Sequence, residues 1–182
     1  MKDFRYYADC FSSLHTAMKL GKPAPHKALL LLSVIDLVER GIIIDNHIEL
    51  SNILVKTFNA NAKKFYANSP IFKPKATKPY FHMQHEPFWH LVASSDCVAT
   101  NMAALCSVEY NRNMPTYSLK GLREQFRCAE IDTELFKLLK DEDARARLRV
   151  ILITTYLNNR IDLFIPFAAL PIYVSILSAL AC

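Results

Sequence analysis

The sequence predicts a mainly α-helical domain carrying two small antiparallel β-hairpins, an α+β fold. Three observations carry that expectation. Apolar residues recur at steps of three or four through most of the chain, the period of helices with one buried face. Two short runs instead set β-branched or aromatic residues on either side of a turn-forming group, the pattern of a hairpin. Hydrophobic residues make up 52% of the 182 positions, which is core material for one well-packed domain and leaves the chain short for two.

The elements follow in order. "DFRYYADCFSSLHTAMKLG" puts Phe4, Tyr7, Phe11, Leu14 and Met18 on one helical face, and Gly21 is placed to end it. "HKALLLLSVIDLVERG" then runs to Gly41. Pro25 suits its first turn, where the missing N–H would have no intrahelical partner. Apolar residues cover nearly its whole circumference, so this is the central, most buried helix. "GIIIDNHIELS" reads as two short strands about an Asp45-Asn46 turn. Ser51 can cap "NILVKTFNANAKKFYAN", which stops at "SPIFKPKATKP". Helix, helix, hairpin, helix is a winged-helix-like element order.

The second hairpin falls in "KPYFHMQHEPFWHL". Tyr80 to Met83 form one strand, "QHEP" the turn and Phe88 to Val92 the return, with aromatics suited to a pleated surface. Residues 94 to 116 read as loop with one short helix around Met102 to Cys106. The helical signal returns in "SLKGLREQF", in "IDTELFKLLKD" with Asp132 as N-cap, and in "DEDARARLRVILITTYL" with an acidic first turn. This organisation divides the chain into a folded domain over 1–159 and an apolar tail over 160–182.

The tail is unusual because Leu163 to Cys182 carries no charge, over about twenty residues, the length of a helical membrane span. Pro166 and Pro171 oppose a regular helix through its first half. A membrane anchor, a buried terminal segment and the altered ending of a longer protein all remain open. Five scattered cysteines with no C-x-x-C pair, and no basic-then-apolar leader, point to the cytoplasm, reduced thiols and no structural zinc.

Several chemistries lack their residues. The six histidines, His15, His26, His47, His82, His85 and His90, all lie in the first half, so the region after His90 cannot hold an HNH nuclease unit. A PD-(D/E)xK centre sets a carboxylate two positions before a lysine, to hold a divalent cation beside a charge that stabilises the phosphorane. No glutamate here has lysine two positions on. There is no G-x-S-x-G, P-loop or glycine-rich cofactor loop. The reading is a non-catalytic chain with no cofactor.

What remains is a cationic, aromatic segment. Between Ala60 and Leu91 stand Lys63, Lys64, Lys73, Lys75 and Lys78 against one acid, Glu86, within a chain of formal charge +5. Lysines neutralise phosphates, and aromatic and imidazole rings contact sugars and base edges, so the combination is a footprint of nucleic-acid binding. A zinc site at His82, His85 and His90 is disfavoured, since on a hairpin the first two face opposite ways and no cysteine is near. A plain hydrophobic hairpin, with Phe81 and Trp89 capping the core and the histidines in water, accounts for the same residues.

Three stretches, "GKPAPHKALLLLSVIDLVERG", "PYFHMQHEPFWHL" and "CAEIDTELFKLLKDEDARARLRVILITTYL", resemble in order and spacing the domain found ahead of HNH modules in type IV, modification-dependent restriction endonucleases. In members that recognise phosphorothioate DNA it is called the sulfur-binding domain. The resemblance covers roughly residues 5 to 157. It implies a DNA-binding domain of a restriction-modification defence system, with His26 and Lys27 at the basic position and Pro79 with His82 in the wall of a cup for sulfur. Together with the cationic segment, the expected nucleic-acid-binding set is His26, Lys27, Lys73, Lys75, Lys78, Pro79, Tyr80, His82 and His85. The chain departs from the family where Lys27 replaces arginine, Lys78 an aromatic and His82 a small residue. These changes weaken the sulfur cup and leave backbone contacts intact. The expected partners are double-stranded DNA, a nuclease module or subunit, and a second copy of the chain. A membrane-tethered interaction protein, anchored by the tail, is the competing expectation.

Overall fold

The computed structural model describes residues 2–19, 22–66, 74–94 and 117–157. Among these the chain is mainly helical with a small antiparallel sheet, an α+β fold. Its order is α1 (Phe4–Ser12), β1 (Met18–Lys19), β2 (Lys22–Pro23), α2 (His26–Glu39), β3 (His47–Ile48), α3 (Asn52–Tyr66), α4 (Thr77–His82), a 3₁₀ turn (Met83–His85), β4 (Trp89–Ala93), α5 (Leu119–Gln125), β5 (Phe126–Ile131), α6 (Thr133–Lys140) and α7 (Glu142–Leu152), which continues as a π-helical turn (Ile153–Leu157).

The axis of the core is α2, where every residue from Lys27 to Val38 except Asp36 is buried. This is the outcome its all-round apolar sequence predicts. Its end is a Schellman motif. Gly41 takes φ +65°, its N–H bonds to Val38 O, and the Ile42 N–H bonds to Leu37 O, closing two carbonyls the helix leaves open. On its exposed side Asp36 and Glu39 hold the Arg149 guanidinium at 2.8 Å each, locking α2 to α7. Caps fix the starts of α1 and α7. Asp3 Oδ1 accepts from the Tyr6 N–H at 3.0 Å and Asp141 Oδ1 from the Ala144 N–H at 2.8 Å. Asp132 stands at the N-cap of α6 as the sequence predicts, but its carboxylate is directed elsewhere.

Four local expectations are corrected. The first helix stops at Ser12 rather than near Gly21, because the hydroxyls of Ser12 and Ser13 both donate to Asp9 O and compete with continuation of the ladder. Met18–Lys19 instead pairs with Lys22–Pro23. The segment 42–50 is not a hairpin. Asp45 does turn the chain, accepting from the His47 N–H at 2.9 Å, but β3 pairs with β5. The stretch from Tyr80 to Met83 is helical rather than a strand, and the return strand, real as β4, pairs with β5, giving the sheet order β3-β5-β4. Finally β5 itself lies in "FRCAEI", between two segments whose helical periodicity masked it.

Among the described residues no helix is long and apolar enough to cross a membrane. The apolar tail, the short helix expected around Met102 to Cys106, and Lys73 lie outside the described residues.

Candidate nucleic-acid interface

The segment singled out by its composition is α4 with its 3₁₀ continuation. Ala76, Pro79, Tyr80 and Met83 are buried on one side, at steps that suit a helix and not a strand. Pro79 sits in the first turn, where it breaks no intrahelical bond. Aromatic residues suggested a strand because β propensity measures fit to a half-buried surface. Here a helix supplies that surface. Tyr80 packs edge-on against Trp89 at 5.5 Å and its hydroxyl donates to Ile48 O at 2.7 Å.

The helix gathers the charges of this segment on one side. Lys78, His82 and His85 follow one another at steps of four and three, which places them along one side of α4 and its continuation, and Lys75 stands just before the helix. Lys75, Lys78 and His85 are exposed and His82 is half-buried. On a hairpin His82 and His85 would face opposite ways; here their rings lie nearly parallel, 22° apart in plane and 6.1 Å between centroids. Tyr117, half-buried, closes the same patch. Its ring lies 5.3 Å from that of His82 and 5.9 Å from Lys78 Nζ. Burial, with the positive neighbours His85, Lys27 and Lys78, lowers the His82 pKa below its ordinary value.

Lys27 has a different position from the one its motif implies. Its ammonium is buried and paired with Glu86, whose side chain is only 1% exposed. Glu86 also accepts from the His15 N–H at 3.0 Å and lies 3.3 Å from His15 Nδ1. Lys27 therefore ties the start of α2 to the end of the 3₁₀ turn, and its charge is already neutralised. His26, beside it, is half-buried. Pro79 and Tyr80 are buried, so neither presents its side chain to a ligand. Of the nine expected residues, Lys75, Lys78, His82 and His85 form the accessible face. His15, Tyr117 and Glu86 were missed. Glu86 did carry a signal, as the one acid in a run of lysines.

A second charged cluster gathers around Asp132, just past the end of β5 and beside the start of β4. Asp132 Oδ2 accepts from the Tyr7 hydroxyl and from Lys2 Nζ, each at 2.8 Å, and Oδ1 lies 3.2 Å from His90 Nε2. Burial would raise its pKa, but the hydrogen bonds from Lys2, Tyr7 and His90 outweigh that and hold it below its ordinary value. Burial and the bond to Asp132 push the Tyr7 hydroxyl well up. His90 is thus a partner of Asp132, apart from the His82–His85 pair. Among the described residues no group of three or more His, Cys, Asp or Glu side chains is placed to hold a metal ion. No protein-family model and no curated protein matches the sequence.

Proposed function

We propose that this chain is a non-catalytic DNA-recognition module whose contact face is α4 with its 3₁₀ continuation. The observation that carries the reading is the alignment of Lys78, His82 and His85 along one side of that segment, backed by Tyr117 and with exposed Lys75 just before it. Ammonium groups neutralise phosphates, and the imidazole ring nitrogens add hydrogen-bonding groups for phosphate and sugar oxygens. The resemblance to the sulfur-binding domains of modification-dependent restriction enzymes favours backbone-modified DNA as the target. Cleavage then belongs to a nuclease module or partner.

Lys27 serves the face indirectly. Its bond to Glu86 joins the start of α2 to the 3₁₀ turn and so fixes the platform on which the exposed cations stand. Sulfur selectivity through Lys27 and Pro79 requires both to become accessible, whereas contact with the backbone through the exposed residues requires no rearrangement.

Fluorescence anisotropy with a short duplex, plain or carrying one phosphorothioate linkage, tests the reading. Two to four phosphate contacts give a loss of about tenfold to a hundredfold in affinity between about 50 and about 200 mM salt. Affinity that ignores salt contradicts the proposal. Preference for the phosphorothioate duplex places this chain among readers of modified backbone; equal affinity makes it a general backbone binder.

A further inference from the structure

On another part of the surface, a cavity of about 320 Å³ opens between the residues that lead into α3 and the junction of α5 with β5, lined by Glu49, Leu50, Ser51, Asn52, Arg123, Phe126 and Arg127. That volume is at the small end of ligand clefts, about 300 to 1,000 Å³. Its charge comes from three side chains. Arg123 Nε donates to Leu50 O at 2.8 Å and Nη2 donates to Asn52 Oδ1 at 2.9 Å. The guanidinium plane is therefore fixed from one edge, while its Nη1 has no hydrogen-bond partner among the described residues. Arg127 projects from the exposed positions of β5 and makes no ion pair among the described residues. Glu49, exposed, is the single carboxylate on the lining.

We infer that this cavity is a phosphate-binding subsite, in which Arg123, pre-set by Leu50 and Asn52, and Arg127 grip one phosphate group. Two guanidiniums face one carboxylate, and the planar fork of an arginine matches phosphate oxygens in pairs. Holding Arg123 in place removes much of the side-chain ordering that binding would otherwise require. Glu49 opposes the anion and sets its affinity lower than the arginines alone would give.

The cavity also has a relation to α4. Phe126, part of its lining, lies 6.0 Å from Phe81, whose ring is 5.6 Å from that of Tyr117. The subsite and the Lys78–Tyr117–His82 patch thus border one aromatic cluster. The natural source of the phosphate is the same polyanion held by α4, so this extension rests on the proposed DNA-binding reading. A free phosphate ester shares the chemistry, and the experiment separates the two.

The test titrates inorganic phosphate, followed by amide chemical shifts, and the short duplex, followed by anisotropy, into wild-type protein, Arg127→Ala and Glu49→Gln. Both substituted residues are exposed, so folding is unaffected; Arg123 is left intact because it ties α5 to Leu50 and Asn52. Phosphate is expected to shift the amides of Ser51, Asn52 and Arg123. Arg127→Ala weakens phosphate binding by about tenfold and lowers the duplex salt slope by about one. Glu49→Gln strengthens phosphate binding by about fivefold. If phosphate moves none of those amides, or Arg127→Ala changes neither titration, the subsite is overturned, while duplex binding that depends on Lys78 leaves the α4 reading standing. If phosphate binds through Arg127 but the duplex does not bind, the subsite stands with a free phosphate ester as its ligand and the DNA reading falls.

Discussion

Replacing Glu86 by glutamine removes one charge from a site where the structure leaves almost no water. The Lys27 side chain is 8% exposed and that of Glu86 1%. With the carboxylate gone, the ammonium remains buried without a counter-charge, a change that costs about 3–5 kcal/mol. Glutamine keeps a carbonyl oxygen for the His15 N–H, so the lower half of that range applies to Glu86→Gln and the upper half to Glu86→Ala. At about 2–4 °C per kcal/mol for a chain of this size, the melting temperature falls by about 6–20 °C. Urea denaturation followed by circular dichroism gives the free energy directly. The pair Lys27→Met with Glu86→Leu should recover most of the loss of either single change, because removing both charges removes the burial penalty as well. A Glu86→Gln protein within about 0.5 kcal/mol of wild type, the range of ordinary surface substitutions, refutes the reasoning. The same double variant should still bind duplex, since Lys27 makes no contact with the ligand in this account.

Further expectations follow from other sites. The His82 pKa is lowered from 6.5 in the fold, so the unfolded chain takes up its proton first, and stability falls as pH drops below that value toward the folded pKa; His82→Gln should flatten this part of a urea-midpoint profile measured against pH. Asp132 is held below its ordinary 3.8, so its contribution is present above that pH and is lost as pH falls through the lowered folded pKa. Asp132→Asn, which strips the bonds from Lys2 and His90 of their charge, should cost about 1–3 kcal/mol at neutral pH, read from the same denaturation curves. Gly41→Ala meets no steric obstacle but places a Cβ at φ +65°, and should destabilise by about 1 kcal/mol; no change in the unfolding midpoint would mean that the Schellman turn does not need glycine.

The helices were legible where their signals are local. The run "ALLLL" with Gly41 beyond it defined α2, and Asp132 and the acidic first turn of "DEDARARLRV" marked the starts of α6 and α7. The sheet was not legible, because β5 finds β3 and β4 far along the chain and its "FRCAEI" mixes exposed Arg127 with consecutive buried Cys128 and Ala129. The candidate face was half legible. Lysine and aromatic content singled out the segment of the candidate face, but reading it as a ribbon scattered residues that a helix aligns; the steps from Lys78 to His85 were the available clue. Lys27 was misplaced for a different reason. Its burial depends on Glu86, 59 positions away, and no local pattern announces a partner at that distance.

The central claim is that the exposed cations at the start of α4, Lys75 just before it and Lys78 within it, hold a polyanionic duplex. Its most direct test is duplex anisotropy with Lys75→Glu/Lys78→Glu, two exposed changes whose folding is verified by circular dichroism. The account expects binding to be abolished at low salt while the melting temperature stays within a few degrees of wild type, roughly the effect of surface substitutions. Retention of wild-type affinity and salt dependence in that variant would place the contact elsewhere and contradict it.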